Sequence, residues 1–553
     1  MTTAAPAPSP ASAPYRLSPQ NRRVFVGLML GMLVASVSQT IVGPAMPRIV
    51  AELGGMEHYS WVATAAMLVS AVSVPIVGKL SDLYGRRRFY LGGIVVFMVG
   101  SLVCGFASSF WTLVAGRAIQ GLGMGTLMPL SQTIIGDIIP PRQRGKYQGL
   151  MGAVFGVTSV AGPLAGGFIT DHWGWRWLFF VALPVGAAAF VVIGRFLHLE
   201  HVRREVSIDY LGMATLATSL TALLLATSLG GTQWAWGSVQ SISLYVIGAL
   251  ALVAFVLVER RAAEPVLPLR LFGSRVFTLS NVAAFGVSMV MFGAIIYIPV
   301  FAQGVIGVDA TNSGLILMPL MLGMIGLGII TGQLITRTGR YLPFMLGGVA
   351  IMAAGMYLLT RMDHTATQTQ LTVAMVVLGL GLGMAMQQYT LVVQNDAARA
   401  DLGVATASTQ FFRNVGSTVG IAVFGTIMTS GLAEKIVAHL PAGAAAGAKG
   451  ELNVGSVLDP SVLATMPPAV ADAVRQALAE NLHDVFLVGL PILALVFVAT
   501  ALIPVKPLRE SNHDHPVEEA GAGVVESLGS TEAHDVDEVH TGRRRTPSAQ
   551  GNS

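Results

Sequence analysis

Apolar runs of membrane-crossing length, separated by short polar or basic segments, organise this chain. They predict fourteen helices near residues 24–43, 60–78, 89–107, 111–134, 147–170, 176–196, 210–229, 240–258, 276–303, 312–335, 342–360, 371–393, 404–430 and 484–504. Hydrocarbon offers no water to backbone N–H and C=O groups, so a run of about 20 apolar residues must satisfy them internally, as a helix. The run Val24–Val42 is followed by Pro44 and Pro47 and reads as a retained span rather than a cleaved leader. Residues 1–20 are rich in Ala, Pro and Ser, and residues 506–553 are polar without apolar periodicity; both tails are expected to be disordered. The one long connection, 432–483, has helical apolar spacing over Gly431–Leu440 and Pro468–Leu482, with a Gly/Ala/Pro-rich tip between. It reads as a lid, as a helical extension of the flanking spans, or as a passive connector.

Composition agrees with this reading. Of 553 residues, 53% are hydrophobic and 11% charged, against about 25% charged in soluble domains. The formal charge of +4 does not point to nucleic acid, because the bases sit in short connections between spans. Twenty-five of the 33 Lys and Arg residues fall on the side that holds the N-terminus and six on the other, with Arg117 and Arg413 inside spans. An even span count with this asymmetry predicts both termini on the cytoplasmic side of a cell membrane. Cys104, the one cysteine, lies in an apolar run, so no internal disulfide can form.

The most informative stretch is Gly78-Lys79-Leu80-Ser81-Asp82-Leu83-Tyr84-Gly85-Arg86-Arg87-Arg88, between the second and third runs. It reads as a tight charged loop that turns on its two glycines, with Asp82 placed for a gating contact with neighbouring helix ends. The segment Gly332-Gln-Leu334-Ile-Thr336-Arg337-Thr-Gly339-Arg340 matches it without gaps, Thr336 standing for Asp82. A second echo pairs Gly121-Leu-Gly123-Met-Gly125 with Gly379-Leu-Gly381-Leu-Gly383. The chain therefore divides into related six-helix parts at 21–200 and 271–505, with two helices inserted at 201–270 and a tail at 506–553.

Three further motifs lie in or beside spans. Gly116-Arg117-Ala-Ile-Gln120-Gly121 carries an intramembrane arginine, an expensive residue there and a functional candidate by default. The competing reading makes Arg117 structural, bonded to backbone carbonyls of the first span. Gly162-Pro163-Leu-Ala-Gly166-Gly167 sets glycines four apart for a close helix neighbour and adds a proline kink. Asp171-His-Trp173-Gly-Trp175-Arg176-Trp177 has the character of an interfacial aromatic belt with an Asp171/Arg176 charge pair.

Together these motifs resemble the fourteen-span drug:proton antiporters of the major facilitator superfamily, the EmrB/QacA branch. The charged stretch at Gly78–Arg88 resembles that superfamily's loop between its second and third helices. The R-x-x-Q-G-x-G order at Arg117 resembles its span-4 motif, and G-P-x-x-G-G at Gly162–Gly167 its antiporter motif. Gln39-Thr40-Ile41-Val42 in span 1 and Phe411-Phe412-Arg413-Asn414-Val415-Gly416-Ser417 in span 13 fit the same branch. The resemblance implies an all-α membrane fold of two six-helix halves plus two inserted helices, and an alternating-access exporter with the proton as coupling ion.

One departure bears on mechanism: Ser38 stands where family members often have an acid, and no Asp or Glu lies in the middle of a predicted span. Proton-coupling candidates are then Arg117 and Asp137, with Asp171 and Glu259 at span ends and Glu259 beside Arg260 and Arg261 as a local ion pair. Gly78, Asp82, Gly85, Arg86 and Arg87 are the gating candidates. Cavity candidates are Ser38, Gln39, Gln132, Gln387, Gln388, Gln410, Arg413 and Asn414, the glutamines and Asn414 being amides that both donate and accept. Arg413 is placed near the cytoplasmic start of its span, where it pairs with an anionic substrate or snorkels to the surface.

The expected activity is export of lipophilic drugs or natural products, by a monomer that contacts membrane lipid. Export of a lipid or endogenous metabolite is the alternative; a non-transporting sensor or scaffold is a distant one. No nucleotide loop, metal cluster or nucleophile–base set stands in the spans, so neither an enzyme, a metal, another cofactor nor a nucleic-acid partner is expected.

Overall fold

The computed structural model describes residues 17–54, 58, 61–199, 208–230, 234–307, 317–429, 432–440 and 467–509. Almost all of both tails and the middle of the connection 432–483 lie outside these residues. Within them the chain is helical, and no β-sheet is present among the described residues.

Helix α1 is Pro19–Thr40, opened by the Ser18 hydroxyl, which accepts from Asn21 N at 3.2 Å. The N-terminal tail therefore ends before residue 20. A short helix α2, Met46–Leu53, follows and was not foreseen: Pro47 stands in its first turn, where a missing N–H costs nothing, and starts the helix rather than breaking it. Next come α3 Trp61–Tyr84, α4 Arg86–Gly105, α5 Phe110–Ile138 and α6 Pro141–His172. They are followed by α7 Trp177–Phe180, α8 Ala182–Phe196, α9 Tyr210–Leu229 and α10 Val239–Glu259. The remaining helices are α11 Arg275–Phe301, α12 Met318–Thr338, α13 Leu342–Thr360, α14 Gln368–Asp396, α15 Leu402–Thr429, α16 Leu432–His439 and α17 Pro468–Ala501.

Thirteen helices among the described residues are long and apolar enough to cross a membrane, so this is a multi-pass membrane protein. Helix α5 falls short of that composition although it has 29 residues, because Arg117, Gln120 and its glycines dilute it. It is shielded instead: most of α5 is buried between α3 and α4. Helix α17 joins two segments that the sequence pattern separates at about residue 483. At 34 residues it is roughly 51 Å long at 1.5 Å per residue, more than the ~30 Å hydrocarbon core needs. Its polar first part, with Asp472, Glu480 and Asp484, extends the span; this end of the connection 432–483 is a helical extension.

The charged stretch is not a loop. Residues 78–84 are helical, Gly85 alone breaks the helix at φ 98°, and Arg86–Arg88 open α4. Gly339 breaks the chain in the same way between α12 and α13, at φ 71°, a conformation that side chains with a Cβ rarely adopt. Gly78 makes no turn; it is a contact point, where a Cβ would lie 2.5 Å from Ala407 Cβ.

The glycine echo has a structural counterpart. Gly121 and Gly125 of α5 lie against backbone carbonyls of Ala66 and Ser70 in α3, and Gly123 lies against Phe97 in α4. Gly379 and Gly383 of α14 lie in the same way against Leu320 and Met324 in α12, and Gly381 against Gly348 and Met352 in α13. Side-chain-free faces let these helices approach closely where lipid gives no hydrophobic drive for association. The apolar core is divided accordingly. One cluster joins residues of α11 to α17, and two others join α1 to α8. Helices α9 and α10 pack on each other, and α9 reaches α3 and α15.

Candidate functional site

Helices α1, α3, α5 and α6 meet α11, α14 and α15 around a central cavity of about 80 Å³. Its wall includes seven methionines, among them Met32, Met128 and Met386, and the rings of Phe155 and Phe292. Small-molecule sites usually measure about 300–1,000 Å³, so a substrate enters only when these walls part. Unbranched methionine side chains suit a wall that must reshape.

Among the expected lining residues, Gln39, Gln132, Gln387, Gln410, Arg413 and Asn414 do face the cavity. Ser38 and Gln388 do not. Ser38 is turned toward α5, where its carbonyl and hydroxyl oxygens accept from Arg117, and Gln388 is buried away from the cavity. Arg413 is not near the start of its helix: it lies eleven residues after Leu402, roughly 16 Å along the axis at 1.5 Å per residue. No snorkelling path to the helix end is open to it. No Asp or Glu lines the cavity.

Arg117 is held through its Nε and Nη1. Its Nε donates to Val62 O at 3.1 Å, and its Nη1 to Ser38 O at 3.2 Å, Ser38 Oγ at 3.1 Å and Gln120 Oε1 at 2.8 Å. Gln120 passes the network on to Ser101 Oγ at 2.7 Å. The arginine thus ties α5 to α1 and α3 through carbonyls, as its structural reading requires. Arg117→Lys cannot span these acceptors with one ammonium. It is expected to cost on the order of 3 kcal/mol, seen as a lower unfolding temperature in detergent; an unchanged value would show the network to be dispensable.

Helix ends converge on Asp82. Its Oδ1 accepts from Arg86 Nη2 at 2.8 Å, and its Oδ2 from Val404 N at 3.0 Å, at the start of α15. Arg86 also pairs with Asp137 at the end of α5. Asp137 is therefore a largely buried ion-pair partner and not a solvated helix end. Lys79 reaches Glu264 at 2.7 Å, and Arg270 reaches Asp401 at 2.9 Å, so the connection after α10 is pinned to α3 and to the start of α15. Arg87 donates to Gly194 O, tying α4 to α8 rather than closing the seam.

Residues that no motif flagged complete this end. Arg144 of α6 donates to Gly136 O and Ile139 O at the end of α5 and, at 3.4 Å, to Gln394 O of α14. Gln394 Nε2 in turn donates to Gln132 O at 3.0 Å and Thr406 Oγ1 at 3.2 Å, placing an amide floor under the cavity. Lys506–Arg509, expected to be part of a disordered tail, instead lie across the same end. Arg142 N donates to Arg509 O at 3.1 Å, and Arg509 N to Asn395 Oδ1 at 3.1 Å. Charge counting registered Arg142, Arg144 and Arg509 only as bases between spans; their contacts with α14 and with each other's segments are remote in the chain, Gln394 lying 250 positions from Arg144.

The Gly-rich face of α6 serves two neighbours. A Cβ on Gly145 would come 2.8 Å from Gly332 O, and one on Gly149 2.7 Å from Gly328 O, both in α12. Gly162 and Gly166, on either side of the kink residue Pro163, instead face Thr40 and Ile41 at the end of α1, while a Cβ on Gly167 would meet nothing. Glu259 makes no ion pair with Arg260 or Arg261; its Oε1 accepts from Val266 N at 3.0 Å and Leu267 N at 3.4 Å and holds the turn after α10.

At the opposite ends of α1 and α6 the expected charge pair is exchanged. Asp171 pairs with Arg48 at 3.3 Å, and Arg176 pairs with Glu52 at 2.5 Å. Trp175 Nε1 also donates to Glu52, at 2.7 Å. Hydrogen bonds from Arg176 and then Trp175 hold the Glu52 carboxyl below the usual carboxylate range. A depressed folded pKa gives stabilisation that is present above the unfolded value of about 4.3 and is lost as pH falls through the folded one. Tryptophan fluorescence should therefore change below about pH 4, and Glu52→Gln should remove that step. The pair is half exposed, so global unfolding should move little; a step that persists in the variant would assign it elsewhere.

The chain matches the family model described as Major Facilitator Superfamily over residues 28–421. It is 39% identical over 533 residues to the multidrug transporter protein MdtP of Bacillus subtilis, covering 92% of this chain and 98% of that protein. To multidrug resistance protein 3 of the same organism it is 36% identical, covering 87% of this chain and 94% of that one. Its fold also matches the crystal structure of the human organic anion transporter MFSD10, with a TM-score of 0.56 at 15% identity over 86% of this chain and 100% of that chain. A likeness at that identity speaks for the fold alone. The family match and the full-length relatives agree with the helix arrangement: this chain belongs to the major facilitator superfamily.

Proposed function

We propose that this protein is a secondary active exporter of lipophilic drugs or natural products, working by alternating access. The observation that carries the reading is a methionine- and amide-lined cavity set between two helix groups, with their contacts concentrated at the Gly85 end. There Asp82 of the first group holds the start of α15 in the second, and α6 touches α12 through glycines. The full-length relatives named for multidrug transport and multidrug resistance support the same reading.

In this reading the chain has fourteen spans with both termini cytoplasmic. Residues 21–200 and 271–505 are the two six-helix halves, with 201–270 inserted between them. The paired breaks at Gly85 and Gly339 and the matched packing of α5 and α14 support the two-half division. The Gly85 end is then the cytoplasmic gate, closed here, and the Gly162/Gly166 contact carries movement of α1 with α6. Proton antiport is the proposed coupling. A proton reaching Asp137 or Asp82 would weaken Arg86's hold on the gate, while Arg117 keeps α1, α3 and α5 moving together.

The test is transport in proteoliposomes, with ethidium as a cationic probe and Nile red as a neutral one, with and without a pH gradient. Gradient-driven movement of Nile red supports the reading. Indifference of both probes to the gradient would overturn the coupling, and absence of transport for both would overturn multidrug export.

A further inference from the structure

The two intramembrane arginines of this protein have opposite surroundings. Arg117 is held by four hydrogen bonds to carbonyl, hydroxyl and amide oxygens. Arg413 faces the cavity with no ion-pair partner among the described residues, and its Nε is buried without an acceptor. A charge within a membrane span is costly and is normally paired or bonded to carbonyls. Removing it from bulk water without a partner costs several kcal/mol, so an arginine kept in this position needs a counter-charge that arrives from outside the fold.

The neighbourhood fits such a group. Gln410, Arg413, Asn414 and Ser417 lie at positions i, i+3, i+4 and i+7 of α15, a single helix face, and all four line the cavity. Gln410 Nε2 donates to Asn414 Oδ1 at 3.0 Å, a bond that uses the Asn414 amide oxygen and not its N–H donors. No carboxylate in the cavity competes for the charge. The same cavity is lined by Phe155, Phe292 and the methionines, an apolar and deformable wall.

We propose that the cavity binds and exports amphipathic organic monoanions, a carboxylate or sulfonate on an apolar body. Arg413 receives the oxyanion, and the methionine and phenylalanine wall receives the body. A planar guanidinium offers two parallel N–H donors that match the two oxygens of such a headgroup. This assignment rests on the exporter reading and narrows its substrate class. It reverses the preference for cations that a cavity carboxylate would give.

The experiment compares wild type, Arg413→Gln and Arg413→Lys in proteoliposomes, with anilinonaphthalene sulfonate as the anion and Nile red as the neutral probe. The flux ratio of sulfonate to Nile red is expected to fall about tenfold or more in Arg413→Gln, the effect of losing one charge-assisted hydrogen-bonding partner. In Arg413→Lys the ratio should recover in part. Use of a ratio keeps the result independent of how much protein folds, and if Arg413→Gln moves neither probe, the lysine variant's ratio decides. Wild type that exports Nile red but not the sulfonate would overturn the anion site and leave the exporter standing. An unchanged ratio in Arg413→Gln would do the same. Wild type that moves neither probe would fail the exporter reading itself.

Discussion

Asp82→Asn is expected to reduce export at least tenfold while leaving the protein inserted, folded and expressed at wild-type level. Asparagine has the same size, and its side-chain oxygen can still accept from Val404 N, so the start of α15 keeps a cap. What disappears is the charge. Arg86 then has one carboxylate, Asp137, in place of two, and α15 loses an anion at the positive end of its dipole. A charge-assisted hydrogen bond contributes about 1.5–3 kcal/mol, and an anion at a helix N-terminus about 0.3–2 kcal/mol. The Arg86 pair lies within the first group; the charge assistance of the Val404 bond and the dipole term at α15 act across the two groups and so favour only the closed gate. Their loss, about 1.4–3 kcal/mol, shifts the gate equilibrium roughly tenfold to a hundredfold toward open. Asp82→Glu should fail as well, for a steric reason: the carboxylate already sits against Gly403, where even a Cβ has no room. Transport of Nile red by purified variants, set beside their unfolding temperatures, measures the effect. Full export by Asp82→Asn would remove this contact from the gating account.

Much of this arrangement was legible in the sequence because membrane physics writes it locally. Spans, glycine breaks and the charged motif depend on neighbours within about twenty residues, and Gly85 and Gly339 could be matched by spacing alone. The helix extents that differed have specific causes. Proline in a first turn started α2, and α17 kept its helix beyond the hydrocarbon, where apolarity no longer marks it. The site was legible in residue type and less so in direction. Four glutamines, Asn414 and Arg413 face the cavity, but Ser38 and Gln388 turn away from it, since one helical step of 100° separates Gln387 from Gln388. Partners across the fold were the least readable. Nothing near Arg176 indicates that it pairs with Glu52 rather than Asp171. Nothing near Arg144 reveals that it reaches Gln394, 250 positions away.

Replacing Gly145 and Gly149 together by alanine should hold the Gly85 end open and reduce export at least tenfold. Each new Cβ would stand within 3 Å of a backbone carbonyl of α12, 2.8 Å from Gly332 O and 2.7 Å from Gly328 O. A backbone atom cannot swing aside as a side chain does, so the helices must separate by several tenths of an ångström or more. Overpacking of this kind costs about 1–3 kcal/mol per site. That cost falls on the closed state alone, and each 1.4 kcal/mol is tenfold in the equilibrium. The chain supplies its own background for reading the change, because Cys104 is its one cysteine and is buried. A reporter cysteine at Met151, a buried residue of the cavity wall, should react slowly with a membrane-impermeant maleimide applied at the Gly85 end. In the double-alanine background the reaction should speed up about tenfold. Unchanged labelling together with full export would mean that α6 and α12 close without this contact, and that the gate rests on Asp82 and its partners alone.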